Sequence, residues 1–172
     1  MADDEPALFE GCVVAGVNFD RHFLVSGAAP RLAMLADELK RRGVVSHELP
    51  VNFALHAAEM EAGRAEFEQA ARACRWQHPR APVFSPVRLD WVDEPDAEYA
   101  WECCRMPVRF GEAISKIEAI GVKRFLDVGP SGTLANFVKY KLGKPDRCVA
   151  AFSRLSPNLD PLRRLYAVTG AG

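Results

Sequence analysis

The stretch from Val122 to Phe152 constrains the fold more than any other. "VKRFLDV" (122–128) is short, apolar and β-branched, the pattern of a buried strand. It runs into the Gly-Pro turn of "GPSGTLANFVKYKLG", whose remainder has helical spacing, and "CVAAF" (148–152) reads as a closing strand. A strand, a helix and a strand in this order form the crossover unit of a parallel sheet. The alternation begins further upstream. "APVFSPV" (81–87) reads as a Pro-bounded strand, and "DEPDAEYAWECCRM" (93–106) as a helix entered at Asp93 or Asp96. "PVRFGEAISKIEAIG" reads as a second helix, with Val108, Phe110, Ala113, Ile114, Ile117 and Ile120 on its apolar face. Alternation from 82 to 152 predicts an α/β chain with helical crossovers.

The amino-terminal part has a different pattern. "GCVVAGVN" (11–18) and "HFLVS" (22–26) are β-rich runs on either side of a compact turn. In "GAAPRLAMLADELKRRG", Leu32, Leu35, Ala36 and Leu39 share a helical face. Pro30 suits its first turn, Lys40-Arg41-Arg42 suit the negative end of its dipole, and Gly43 can cap it. "VVSHELPV" reads as a returning strand. Strand, strand, helix, strand predicts a ferredoxin-like α+β unit without its first elements. Residues 57–74 read as helix, and the tail from 153 to 172 as an extension with a Leu/Tyr face that docks on the body.

Charge and cysteine usage narrow the class. A net charge of −1 gives no general attraction to nucleic acid, and no apolar run approaches the ~18 residues of a membrane span. The acidic start "MADDEP" is unlike a signal peptide, so the expected location is cytoplasmic. Five cysteines, an odd number without CxxC spacing, predict free and mostly buried thiols rather than a disulfide frame or metal site. Cys74 and His78 stand four apart, but no second pair accompanies them.

Three places can carry chemistry. His56, in "ELPVNFALHAAEM", sits past an expected strand end at the mouth of an expected helix. Small neighbours (Ala54, Ala57, Ala58) give its imidazole room. A neutral imidazole in such a place is the usual partner of a weak oxygen nucleophile, although a lone histidine is more often structural. "FLDVGPSGTL" places Gly129 and Ser131 at the carboxyl edge of the expected sheet, where α/β proteins bind ligands. It lacks the Lys-Ser/Thr pair of a phosphate loop, and Gly129-Pro130-Ser131-Gly132 is one residue short of G-x-S-x-G. Ser131 therefore reads as a helix-start residue. "RMPVRF" (105–110) is a turn between two helices.

The order of these segments is more specific than any one of them. "AGVNFDRHFLVSG", a helix, "LPVNFALHAAEM", "APVFSPV", "MPVRFGEAI" and "FLDVGPSGTLANFV" together resemble the acyltransferase domains of fatty acid and polyketide synthesis, including the malonyl-CoA:acyl carrier protein transacylases. The resemblance covers about residues 11–152. It implies that a serine in a G-H-S-x-G elbow accepts the acyl group from a coenzyme A thioester. That ester then passes to the phosphopantetheine thiol of an acyl carrier protein, with no metal or prosthetic group held by the protein. His56 matches the histidine that activates the serine and then the thiol. Met106 matches the residue whose backbone carbonyl orients that histidine. "GVN", with Asn18, and "FLVSG" match the small subdomain that roofs the cleft.

The departures from the family pattern are equally specific. No G-x-S-x-G occurs in the 172 residues, and neither the G-Q-G segment nor the arginine for the malonyl carboxylate is found. The chain is thus expected to represent the carboxyl-terminal part of the domain. Residues 11–52 would belong to the small subdomain, 53–152 would form the closing segment of the α/β-hydrolase-like large subdomain, and 153–172 an extension. The specificity motif, "HAFH" or "YASH" in polyketide acyltransferases, is here "FALH", with Phe53 and Leu55 beside the site. The bulk of Leu55 should crowd an α-methyl branch and favour malonyl. Two further expectations follow from a half-fold. One is a complementary polypeptide bearing G-H-S-x-G, or self-association. The other is an inactive module that docks on a carrier protein or synthase.

Overall fold

The structure, a computed structural model, describes residues 5–152. The tail segment 153–172 lies outside the described residues. The chain divides into two compact units. One takes in the chain up to Val17 with Arg21–Phe110, and the other Asn18–Asp20 with the chain from Gly111 on. Among the described residues the strands form three two-stranded sheets.

In the first unit, β1 (Cys12–Phe19) pairs with β2 (His22–Gly27) across the Asp20-Arg21 turn. Helix α1 (Ala29–Arg41) follows with Pro in its first turn and Lys40 and Arg41 in its last, which suits the helix dipole. The expected third strand is missing. Residues 44–51 are irregular, and Val51 donates back to the Leu49 carbonyl at 2.7 Å in a tight turn around Pro50. Pro50 has no N–H for a ladder, and Val45, Leu49 and Val51 are left exposed.

The expected helix over 57–74 is two elements, a 3-10 turn at Ala58–Gly63 and α2 (Arg64–Arg72). Cys74 and His78 lie past its end, and His78 is hydrogen-bonded to the Asp93 carbonyl. Among the described residues no cluster could hold a metal ion. The expected strand over 81–87 shrinks to β3 (Phe84–Ser85), antiparallel to β4 (Asp90–Trp91). Asp96, not Asp93, starts α3 (Ala97–Arg105), its Oδ1 accepting the Tyr99 N–H at 2.8 Å. α2 and α3 pack through Phe67 and Trp101, with ring centroids 5.4 Å apart and Trp101 only 2% exposed. Arg64 lies over the same indole and reaches Glu68 and Glu98.

The second unit contains the crossover. Helix α4 (Phe110–Ala119) starts two residues later than its apolar pattern suggests, because Val108 is held elsewhere. β5 (Phe125–Asp127), α5 (Thr133–Leu142) and β6 (Cys148–Ala150) follow, and β5 is parallel to β6 in the register Phe125↔Cys148, Leu126↔Val149, Asp127↔Ala150. Among the described residues, the parallel two-stranded sheet of the architecture expected from 82 to 152 occurs in this unit alone. The strand expected over 122–128 is not buried throughout, since Leu126 in β5 and Val128 just past it are exposed. A Cβ at Gly111 would stand 2.7 Å from the Asn18 carbonyl oxygen, so the close approach of β1's end requires glycine there. Phe19 stacks on Tyr140 at 5.2 Å. All five cysteines are free, but only Cys148 is buried, so the expectation of mostly buried thiols fails.

Candidate active site

His56 does not follow a strand. It is the third residue of a tight turn closed by Ala57 N–H to Ala54 O at 3.2 Å, and its φ is 62°. Positive φ is uncommon outside glycine and costs about 1 kcal/mol or more. The end of α3 compensates. The last carbonyls of a helix have no partner within it. Here Cys104 O accepts the His56 backbone N–H at 2.9 Å, and Met106 O lies 2.9 Å from His56 Nδ1. A carbonyl can only accept, so this contact puts the proton on Nδ1 and leaves the Nε2 lone pair free in the neutral ring.

The orienting carbonyl is itself fixed. Met106 N–H caps α3 by donating to Glu102 O at 2.8 Å. Two residues on, Val108 donates to Ala15 O and accepts from Val17 N–H, a parallel bridge to β1. Arg109 donates its backbone N–H to Pro86 O and Nη2 to Val87 O. From the His56 side, Arg105 Nε reaches Glu61 in the 3-10 turn at 2.9 Å. The turn and the helix end are thereby tied together on both sides.

Of the other expected residues, Phe53 is 75% exposed and Leu55 lies in the same turn segment, its N–H bonded to Phe53 O at 2.8 Å. Gly129 and Ser131 belong to the second unit. Asp127, 6% exposed, organises their loop: Oδ1 accepts Gly129 N–H at 2.8 Å and Oδ2 accepts Ala135 N–H at 2.9 Å. The N-cap of α5 is Gly132, with φ 67° and no side chain to cap with, so Asp127 supplies the missing acceptor. Ser131 Oγ pairs with Thr133 Oγ1 at 2.7 Å.

Two contributors were not singled out from the sequence. A carboxylate before a Gly-rich turn that opens a helix is a readable signal for Asp127. The Cys104 carbonyl leaves none, because any residue would supply it. Beside it, burial pushes the Cys104 thiol pKa up, with the neighbouring Cys103 adding to the effect.

The acyl transferase domain family matches residues 4–166, and the chain belongs to that family. It is 30% identical over 170 residues to the polyketide biosynthesis acyltransferase homolog PksD of Bacillus subtilis, covering 98% of this chain and 52% of that protein. The acyltransferase domain from the second module of the salinomycin polyketide synthase superposes with a TM-score of 0.79 at 28% identity, covering 95% of this chain and 39% of that one. For the malonyl CoA-acyl carrier protein transacylase from Clostridium perfringens the TM-score is 0.78 at 20% identity, covering 98% and 54%, a likeness of fold alone. The chain spans about half the length of the first of these relatives. Its fold is therefore part of an acyltransferase domain. Among the described residues no helix is long and apolar enough to cross a membrane.

Proposed function

We propose that the chain supplies the general base of an acyltransferase of polyketide or fatty acid biosynthesis. The observation that carries this reading is the 2.9 Å contact between His56 Nδ1 and Met106 O, which leaves Nε2 available as a base. The nucleophile is a serine in a G-H-S-x-G segment, which these 172 residues lack. Nε2 takes the serine proton as Oγ attacks the thioester carbonyl. The C–S bond then breaks, and the coenzyme A thiol leaves with that proton. In the second half Nε2 takes the proton of the phosphopantetheine thiol as its sulfur attacks the ester carbonyl, and returns that proton to the serine Oγ as the C–O bond breaks.

Malonyl-CoA is the proposed donor, because the bulk of Leu55 next to His56 in sequence should crowd an α-methyl branch, and an acyl carrier protein is the proposed partner. A complementary polypeptide or a self-associated assembly provides the elbow. The division into small-subdomain residues 11–52 and large-subdomain residues 53–152 refers to that completed domain. The absence of G-x-S-x-G from the sequence favours a second reading, an inactive module that docks on a carrier protein or synthase.

Mass spectrometry after incubation with malonyl-CoA separates the two readings. The protein is measured alone and with a polypeptide bearing the family's G-H-S-x-G segment. A malonyl adduct on the partner's serine, only in the mixture and diminished by His56→Ala, is the expected result. No adduct in either case supports the docking module. An adduct on this chain alone contradicts the account and points to Ser131.

A further inference from the structure

The turn between β3 and β4 is built around one buried hydroxyl. Ser85, the last residue of β3, is 0% exposed, and its Oγ accepts the backbone N–H groups of both Val87 and Arg88 at 3.2 Å. Its carbonyl accepts the Leu89 N–H at 2.8 Å, and Leu89 is held at φ 57° with its side chain buried. A leucine is a rare occupant of that region, and strain kept in a turn is a mark of constraint. Peptide planarity shows what the turn achieves. In a trans peptide the N–H of one residue and the C=O of the residue before it point in opposite directions. The Val87 and Arg88 N–H groups turn inward onto Ser85, so the Pro86 and Val87 carbonyls face outward as a pair. One residue takes both: Arg109, through its backbone N–H at 2.9 Å and its Nη2 at 2.8 Å. From the same turn Arg88 reaches Glu102 and lies over the Tyr99 ring, 4.9 Å from its centroid, so α3 is gripped as well. Met106 stands between the two grips, with Glu102 O accepting its N–H and Arg109 three residues on.

We propose that Ser85 is a positioning residue for the base. Its hydroxyl aims the carbonyl pair that holds Arg109, and Arg109 fixes the direction from which Met106 O meets His56 Nδ1. Burial alone does not call for serine here. Alanine would fill nearly the same space but would leave two N–H groups without their acceptor and the carbonyl pair free to rotate. The inference rests on the reading of His56 as the base, and it adds a side chain outside the direct contacts of that imidazole.

Long-range nitrogen NMR of the full chain, with the ring neutral, tests it on Ser85→Ala, Arg109→Met and the double variant. Ser85→Ala should lower the ratio of Nδ1–H to Nε2–H tautomer at His56 at least about threefold. Arg109→Met should lower it less, because its backbone N–H still reaches Pro86 O. The double variant should lose no more than Ser85→Ala alone, since both changes break one link. Arg109→Lys, which keeps a donor for Val87 O, should recover most of the wild-type ratio. A loss of unfolding stability with the ratio unchanged makes Ser85 a structural residue only and overturns the proposal. A double variant whose loss is the product of the single losses also overturns it. Should Ser85→Ala fail to fold, Arg109→Met against Arg109→Lys decides alone. A wild-type ring protonated on Nε2 overturns the reading of the base and the proposal with it, whereas unchanged variants of a wild type protonated on Nδ1 overturn the proposal only.

Discussion

Among the turns that hold a backbone at positive φ, those at Gly132 and His56 do so in opposite ways. At Gly132 (φ 67°) the residue is glycine, which adopts that conformation freely, and the loop is held by a buried carboxylate five residues earlier in sequence. At His56 (φ 62°) the residue carries a side chain, and the turn is held by two backbone carbonyls about fifty residues away at the end of α3. The first arrangement is local and unstrained, as suits a structural turn. The second keeps a strained residue where glycine would be easier, and it orients an imidazole. Strain retained at a single chemically able side chain is the pattern of a functional position.

The comparison can be broken in several ways. The largest effect should come from His56→Ala in a reconstituted enzyme, where loss of the base lowers acyl transfer by at least about a thousandfold. Retained transfer would place His56 with the structural turns. Asp127→Ala leaves a buried N–H at Ala135 and the Gly129 N–H without their acceptor, and should cost about 1–3 kcal/mol of stability in denaturant unfolding. A smaller effect separates the two positive-φ residues. Gly132→Ala should cost about 1–2 kcal/mol, because it adds the left-handed penalty and meets Ala150 at 3.0 Å. His56→Gly should be more stable than His56→Ala by about 1 kcal/mol, since both lose the imidazole and only glycine relieves the turn. Smallest in energy, but easily measured, is the order of alkylation by iodoacetamide. Exposed Cys74 should react well before Cys104 and Cys148, whose thiols burial holds protonated, and the lag should shrink as pH rises.

How much of this was legible in the sequence follows from the same contrast. The β5–α5–β6 crossover is written in neighbouring residues, so the pattern of "FLDVGPSGTLANFV" sufficed for it, while "DEPDAEYA" narrowed the start of α3 to Asp93 or Asp96. His56 could be singled out, but its surroundings could not. The strand expected before it, "VVSHELPV", has the right residues and no partner to pair with among those described, and Pro50 turns the chain instead. Val108 opens the apolar run that reads as helix, yet β1 takes its N–H and carbonyl into a bridge. A contact made through a backbone carbonyl, such as Cys104 O, leaves no trace in residue identity.

The central claim is that the end of α3 fixes the His56 tautomer, and long-range nitrogen NMR of the histidine rings reads it directly. At a pH where the ring is neutral, His56 should show a protonated, pyrrole-type Nδ1 and a bare, pyridine-type Nε2. A proton on Nε2, or a ring averaging equally between the two tautomers, would contradict the account. Met106 O would then not be holding the imidazole, and His56 would lose its claim to be a poised base.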